Sequence, residues 1–383
     1  MCSVAHARVA ERADTPARGG DLAWFRQEFY LSLTARADAL FEWTDAVLCA
    51  DGPVRSLVEL TPVAEHRRGH GAMYDALNHG RVEPERLRRS VSSLPLPRAV
   101  DGAGRARGRC QPLAAFGRAD QRTAAVCHVY RRGKGQAQLI PGWPYSFVAA
   151  LEPGRTSWTA LLDAVRLGPT DDATAVTAGQ LREVVDRLRV VGHWRPGEKD
   201  IWIVLDSGYD VTRLAFLLAD PPIEVVGRLR SDRVLRLPKP PRPPATWPAP
   251  QHTTSTDTAR YGTAVAASGD RVPPRLTHRG CWIDHHGELP VIEGTLIRLQ
   301  VAHLPGDRAP KPLWLWTSNP TAAGLEIDRA WQAFLRRFDL DHTFRFLKQT
   351  LGWTAPKLRD PPPRTAGPGW SSPRTPSFAW PVT

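Results

Sequence analysis

Apolar residues at Leu22, Phe25, Phe29, Leu33, Leu40 and Phe41 recur at mostly helical spacing, and short polar helical stretches follow over 60–90. This pattern predicts a helical N-terminal unit over residues 22–98. From Val126 the period shortens. VCHVY at 126–130 and FVAAL at 147–151 are short, apolar and β-rich, with Gly/Pro turns between them. Thr177 to Gly192 reads as the clearest helix. Leu181, Val184, Val185 and Leu188 make its apolar stripe, Thr177 and Gln180 form a capping-box pattern, and Gly192 ends it. IWIVL at 201–205 predicts a buried strand ending at Asp206. Residues 210–219 follow as a helix with Asp210 at the N-cap, and IEVVGRL at 223–229 is a second strand. Strand, helix and strand over that length predict a βαβ crossover with parallel strands.

PKPPRPPATWPAP at 238–250 cannot be strand or helix interior and reads as a semi-rigid linker. Strand-like runs return over 260–316 in CWIDHHGELPVIEGTLIRLQVAHL, with a turn at His286-Gly287, and in LWLWT at 313–317. A helical pattern then extends from Glu326 through Leu351. Two stretches resist this scheme. Residues 103–125, AGRARGRCQPLAAFGRADQRTAA, lack apolar alternation and carry too many Arg, Ala and Gly for a core strand, so no strand is expected to lead to Asp120. The tail from 359 onward is too rich in Pro and Gly to pack.

A chain of 383 residues, 42% hydrophobic, is long enough for two or three domains with a real core. No run reaches the apolar length of a transmembrane helix, and residues 1–21 lack a secretory apolar region and read as a disordered leader. A formal charge of +12 points to a polyanionic partner, nucleic acid first, although Arg-favouring codon usage also yields basic proteins. Five cysteines without a CxxC pair argue against a disulfide framework or structural zinc and make a reducing cytoplasm the expectation. RRGKGQ at 131–136 lacks phosphate-loop spacing. His66 and His70 stand four apart beside Arg67 and Arg68 and read as exposed helix histidines. Cys281, Asp284, His285 and His286 fall on one expected hairpin, where alternate side chains diverge, which disfavours a metal site.

The stretch with the most chemistry is FLRRFDLDHTFRFLK, Phe334 to Lys348. Phe334, Arg337, Asp341 and Lys348 are separated by gaps of two, three and six residues, which on one helix would bring an aromatic ring, a guanidinium, a carboxylate and an ammonium to a single face. The plain alternative is an amphipathic helix with Phe334, Phe338 and Leu347 toward the core.

The spacing resembles the Tyr-Arg-Glu-Lys signature of DDE-type insertion-sequence transposases, with Phe334 in place of Tyr and Asp341 in place of Glu, while Arg337 and Lys348 match. VLDSGYD at 204–210 and LIPGWPYS at 139–146 extend the resemblance, which covers about Phe25 to Leu358 and is most similar to an actinobacterial branch of that family. The resemblance implies an α/β fold: a ribonuclease-H-like catalytic core with a helical, DNA-binding N-terminal domain and a β-rich insertion. It implies metal-dependent phosphodiester hydrolysis and strand transfer, with two Mg²⁺ (or Mn²⁺) ions held between three carboxylates. Asp206 would be the second carboxylate and Asp341 the third, both catalytic and metal-binding. Phe334, Arg337 and Lys348 would bind DNA. Partners would be double-stranded DNA, as terminal repeats and target, and a second copy in a homodimer, with no membrane.

The first carboxylate of that pattern is missing. It is expected to end a strand just before VCHVY, within 103–125. If Arg109 to Ala115 were encoded CGA TGT CAG CCC CTG GCT GCG, reading one base later would give Asp-Val-Ser-Pro-Trp-Leu, which resembles the family's first-Asp segment. A compensating slip near Ala124 would restore the frame. Arg364 to Trp370, shifted back by one base, can likewise read Asp-Arg-Trp-Thr-Trp. The expected organisation is therefore a leader at 1–21, the helical domain at 22–98, the first part of the core at 99–235 with 103–125 frame-slipped, linker and insertion at 236–318, C-terminal core helices at 319–358 and a slipped tail at 359–383. The expectation for function is an inactive transposase copy. The alternative is a non-catalytic DNA-binding protein acting on transposon ends, for which Arg228, Arg230, Arg233, Arg236, Lys239 and Arg242 supply basic surface.

Overall fold

The computed structural model describes residues 19–97, 105–114, 125–130, 137–151, 157–168, 170–205, 208–230, 232–236, 251–254, 262–303 and 310–352. The readings on the leader before 19, on Asp206, on the loop at 131–136, on the linker at 238–250 and on the tail beyond 359 lie outside these residues. Among them, no helix is long and apolar enough to cross a membrane.

The N-terminal unit is helical, as its periodicity predicts, with α1 Gly19–Ser32, α2 Ala37–Cys49, α3 His70–His79 and α4 Pro84–Ser93. Short strands β1 Leu33–Ala35 and β2 Arg81–Val82 pair antiparallel between them. Phe25, Phe29, Leu33 and Leu87 form a small core of their own. Arg26 makes two 2.7 Å bonds to Asp45, and Arg86 bonds Glu28 at 3.0 Å, which tie the helices to each other. His66 differs from its expectation. It sits in a loop rather than a helix, and at 8% exposure it is buried.

The middle of the chain forms β3 Arg105–Ala114, β4 Ala125–Tyr130, β5 Ala137–Leu151, β6 Thr159–Arg166, α5 Ala173–Val190, β7 Ile201–Leu205, α6 Val211–Leu217 and β8 Ile223–Arg228. Next come β9 Gln251–Thr254, β10 Thr263–Gly269, β11 Thr295–Val301 and β12 Leu313–Thr317. Helix α7 Gly324–Leu335, a 3₁₀ turn Arg336–Phe338 and α8 Asp339–Gln349 complete the described chain. One mixed sheet runs in the order β4-β5-β3-β7-β8-β12-β11-β10-β9, with β6 paired to β5. β3, β7 and β8 are parallel neighbours. β5 is antiparallel to β3, and β12 to β8. The protein is thus mixed α/β.

Both faces of the sheet are covered. On one, Leu181, Val184, Val185 and Leu188 of α5 and Leu214 of α6 pack on Ile201, Ile203 and Leu205 of β7 and on Val225 of β8. On the other, Ile327, Ala330, Trp331 and Phe334 of α7 pack on Trp202, Val204 and Val226. Alternating strand residues therefore serve two cores, which is why IWIVL is apolar throughout rather than every second residue. The N-terminal unit is joined to this body by a buried carboxylate. Asp163 of β6 is 0% exposed and is bonded by Arg88 of α4 at 2.8 Å and Arg187 of α5 at 2.6 Å.

Several expectations need correction. A strand does occupy 105–114, and it is central, between β5 and β7. β5 runs unbroken through the Pro-Gly-Trp-Pro stretch, pairing with β4 along its first half and with β3 and β6 along its second. α5 begins at Ala173, capped by the carboxylate of Asp172, which accepts from the Thr174 and Ala175 N–H groups. Thr177 and Gln180 are no capping box. They are buried, the Thr177 hydroxyl lies 3.1 Å from that of Ser146, and the Gln180 amide donates to the Ser146 carbonyl. Residues 270–294 form no hairpin but an excursion between β10 and β11 that contains the 3₁₀ turn Gly280–Trp282.

Candidate functional site

β7 ends at Leu205, and Asp206 follows it in the chain. α6 starts just beyond, and its N-cap Asp210 is the best-connected carboxylate of this region. It accepts from the backbone N–H groups of Thr212 and Arg213 at 3.1 Å each, from the Thr212 hydroxyl, and from the Arg233 guanidinium. Burial alone would raise the Asp210 pKa, but the Thr212 hydroxyl, Arg233 and the backbone donors outweigh it and hold the carboxyl below its usual range. Cys281 is pushed up to about 12 by burial and by the adjacent Asp210, so its thiol stays protonated and donates to that carboxylate. Trp282 is buried against Phe216 of α6, with centroids 5.6 Å apart, and Arg213 lies over its ring. The 280–282 turn is thereby fastened to α6. These links cross about seventy residues of sequence, and no local pattern announces them.

The second component comes from the C-terminal helices. Phe334 and Asp341 do not share a helix, because α7 ends at Leu335 and α8 starts at Asp339. Arg336 bonds Asp339 at 3.0 Å across the break. Phe334 is 0% exposed within the core, so it presents no surface to a DNA ligand, contrary to its assignment from the sequence. It acts instead as a platform: the Arg337 guanidinium stacks over the Phe334 ring at 4.1 Å and the Phe338 ring at 3.9 Å and donates to the Phe334 carbonyl at 3.1 Å. Phe338, expected toward the core, is 51% exposed. Asp341 is half-buried in the first turn of α8, and Lys348 is half-buried in the last, the two placements that the helix dipole favours.

A chain of contacts relates the two components. Phe344, one turn after Asp341, meets the Phe147 ring edge-on at 4.9 Å. The backbone of Phe147 pairs with Arg109 of β3. Arg109 follows Gly108, which pairs with Leu205, the residue before Asp206. α8 is thus seated on β5 at Phe147, whose backbone pairs with β3. The buried hydroxyls of Thr159 and Thr343, 2.8 Å apart, fasten the same helix to β6.

The sequence matches the family described as DDE superfamily endonuclease over residues 28–272. The chain belongs to that family. No curated protein matches the chain. As a DDE superfamily endonuclease it is a nuclease-type protein whose relatives act on DNA and generally use divalent metals. The match spans β3, β7 and Asp206 and stops before Asp341.

The family's two-cation centre would draw on Asp206, which lies outside the described residues. At the end of the β3–β7 pairing, β3 offers Arg109 and then Cys110 beside the strand that leads to Asp206. A guanidinium has no lone pair for a metal, and its charge opposes one. Among the described residues no three His, Cys, Asp or Glu side chains gather as a metal-binding group. His285 lies instead against Trp282 at 5.5 Å.

Proposed function

We propose that this chain descends from an insertion-sequence DNA transposase and that this copy binds DNA without cutting it. The observation that carries the reading is the register of β3 on β7. In the ribonuclease-H-like core that the family resemblance implies, carboxylates end the first strand and its parallel neighbour, the fourth. Here β3 is the first strand of the sheet and β7 its parallel neighbour, and the pair Gly108–Leu205 is followed by Arg109 on one side and Asp206 on the other. Asp206 and Asp341 are the two surviving carboxylates of the ancestral metal site, the second shortened from Glu. Arg337 and Lys348 are the phosphate-binding partners on the C-terminal helices. The N-terminal helical unit recognises terminal repeats, and the active ancestor worked as a dimer on double-stranded DNA with two Mg²⁺ or Mn²⁺ ions. Frame slippage across 109–110 accounts for a strand so poor in apolar residues standing at the centre of a sheet.

The test is a strand-transfer assay with Mg²⁺ or Mn²⁺ on DNA carrying the flanking inverted repeats. The native chain should give no product. A chain with Asp-Val-Ser-Pro-Trp-Leu at 109–114 and Asp341→Glu should gain cleavage. Robust product from the native chain would overturn the reading.

A further inference from the structure

Two extended segments, 232–236 just after β8 and 271–276 just after β10, lie side by side. The Arg236 N–H donates to the Pro273 carbonyl at 2.9 Å and the Arg275 N–H to the Val234 carbonyl at 2.8 Å, on either side of an antiparallel bridge between Leu235 and Pro274. Alternation sorts the side chains. Val272, Pro274 and Leu276 are buried and Leu235 packs on the same core, whereas Arg236, Arg275 and, just past the ribbon, Arg279 are exposed. The ribbon is held down by the Trp316 indole, which donates to the Val272 carbonyl at 3.1 Å, and by the Val272 N–H bond to Gly294 at 2.8 Å. Pro273 and Pro274 stiffen it further by fixing their own backbone angles.

The arginines of this region fall into two sets. Arg230 pairs with Asp232, Arg233 with Asp210 and Arg271 with Glu293. Among the described residues, Arg236, Arg275 and Arg279 enter no ion pair. By the bridge register Arg236 and Arg275 are diagonal neighbours, which puts their Cβ atoms roughly 7–8 Å apart. Like charges held this way on a rigid, anchored ribbon repel each other, and a bound polyanion relieves the repulsion.

We propose that the exposed arginine face of this ribbon, Arg236 and Arg275 with Arg279 beside them, tracks the phosphate backbone of double-stranded DNA. The proposal rests on the DNA-binding reading above and locates one surface that serves it. A duplex presents a phosphate about every 3.4 Å of axis along each strand, so guanidinium groups at this separation meet phosphates in any sequence. The contact positions DNA and reads no bases. Because the ribbon is already ordered, little conformational freedom is lost on binding.

The experiment measures anisotropy of a labelled duplex of arbitrary sequence against the full-length chain across a salt series. The native chain should bind, with log K falling linearly as log salt rises. The triple variant Arg236→Ala, Arg275→Ala, Arg279→Ala should flatten that slope by about 2–3 and weaken low-salt binding by about tenfold or more. The matching triple Lys variant should keep the slope, and Arg195→Ala, an exposed residue elsewhere, should change nothing. Each single Ala variant, and the melting temperature of every protein, is measured alongside, so a misfolded triple variant leaves the singles to decide. An unchanged slope in the singles and the triple, or Lys variants as weak as Ala variants, would overturn the ribbon while leaving DNA binding intact. No salt-dependent binding by the native chain would overturn the DNA-binding reading itself.

Discussion

β7 and β3 lie side by side in the sheet, yet they could hardly be less alike. β7, IWIVL, is buried along its whole length and feeds two cores, Ile203 toward α5 and α6 and Val204 toward α7. β3, RARGRCQPLA, holds the equivalent central place with three arginines in its first five residues. A strand that is buried on both faces is normally a continuous apolar run. The contrast teaches that the position of β3 is imposed by its neighbours. β5 pairs with it over nine residues and β7 over four, and those backbone bonds place the strand whatever its side chains.

The largest effect expected from the comparison is on stability. Ile203→Ala should cost about 2–5 kcal/mol in a denaturant melt, because it empties a fully enclosed site. Arg107→Val, in a strand paired along both edges and in register with Val204, should act in the opposite direction and raise stability by up to about 1 kcal/mol through β-propensity. A loss of stability in Arg107→Val would show that β3 is adapted to its arginines and would remove the argument for a slipped frame.

A smaller effect is expected where β7 hands over to α6. Asp210→Asn should keep the helix cap but lose the charge that Arg233 and the thiol of Cys281 meet, costing about 1–2 kcal/mol at neutral pH. The sign of the pH dependence follows from a carboxyl held below its ordinary value near 3.8: its contribution is complete above that value and is lost as pH falls through the lower, folded one. Melts of the native chain and the variant should therefore differ at pH 6 and converge as the pH falls below the ordinary carboxyl value of 3.8. A difference that persists unchanged into strong acid would contradict the ionised Asp210.

The contrast between the strands also marks how far the sequence could be read. IWIVL, IEVVGRL and LWLWT are legible because apolar runs bounded by turn residues have few other uses, and α6 is legible from the Asp210 cap. β3 is illegible because its composition argues against its own conformation and only long-range pairing decides. The start of α5 is missed because Thr177 and Gln180 imitate a cap while serving β5 from inside the core. The break at Arg336–Phe338 is missed because spacing alone cannot distinguish one helix from two. Asp206 and Asp341 enter the candidate site through family resemblance alone, and Asp206 lies outside the described residues. The Phe344–Phe147 contact that seats α8 on β5, and the Asp210–Cys281–Arg233 lock, depend on tertiary packing that leaves no local trace.

The central claim is that the β3–β7 junction has lost the charge needed to hold divalent cations. Mn²⁺ titration followed by electron paramagnetic resonance addresses it without requiring any turnover. The account predicts that the native chain leaves Mn²⁺ free in solution, and that Arg109→Asp, with or without the five residues after it, takes Mn²⁺ up in a manner abolished by Asp206→Asn. Tight Mn²⁺ binding by the native chain, lost on Asp206→Asn or Asp341→Asn, would contradict it.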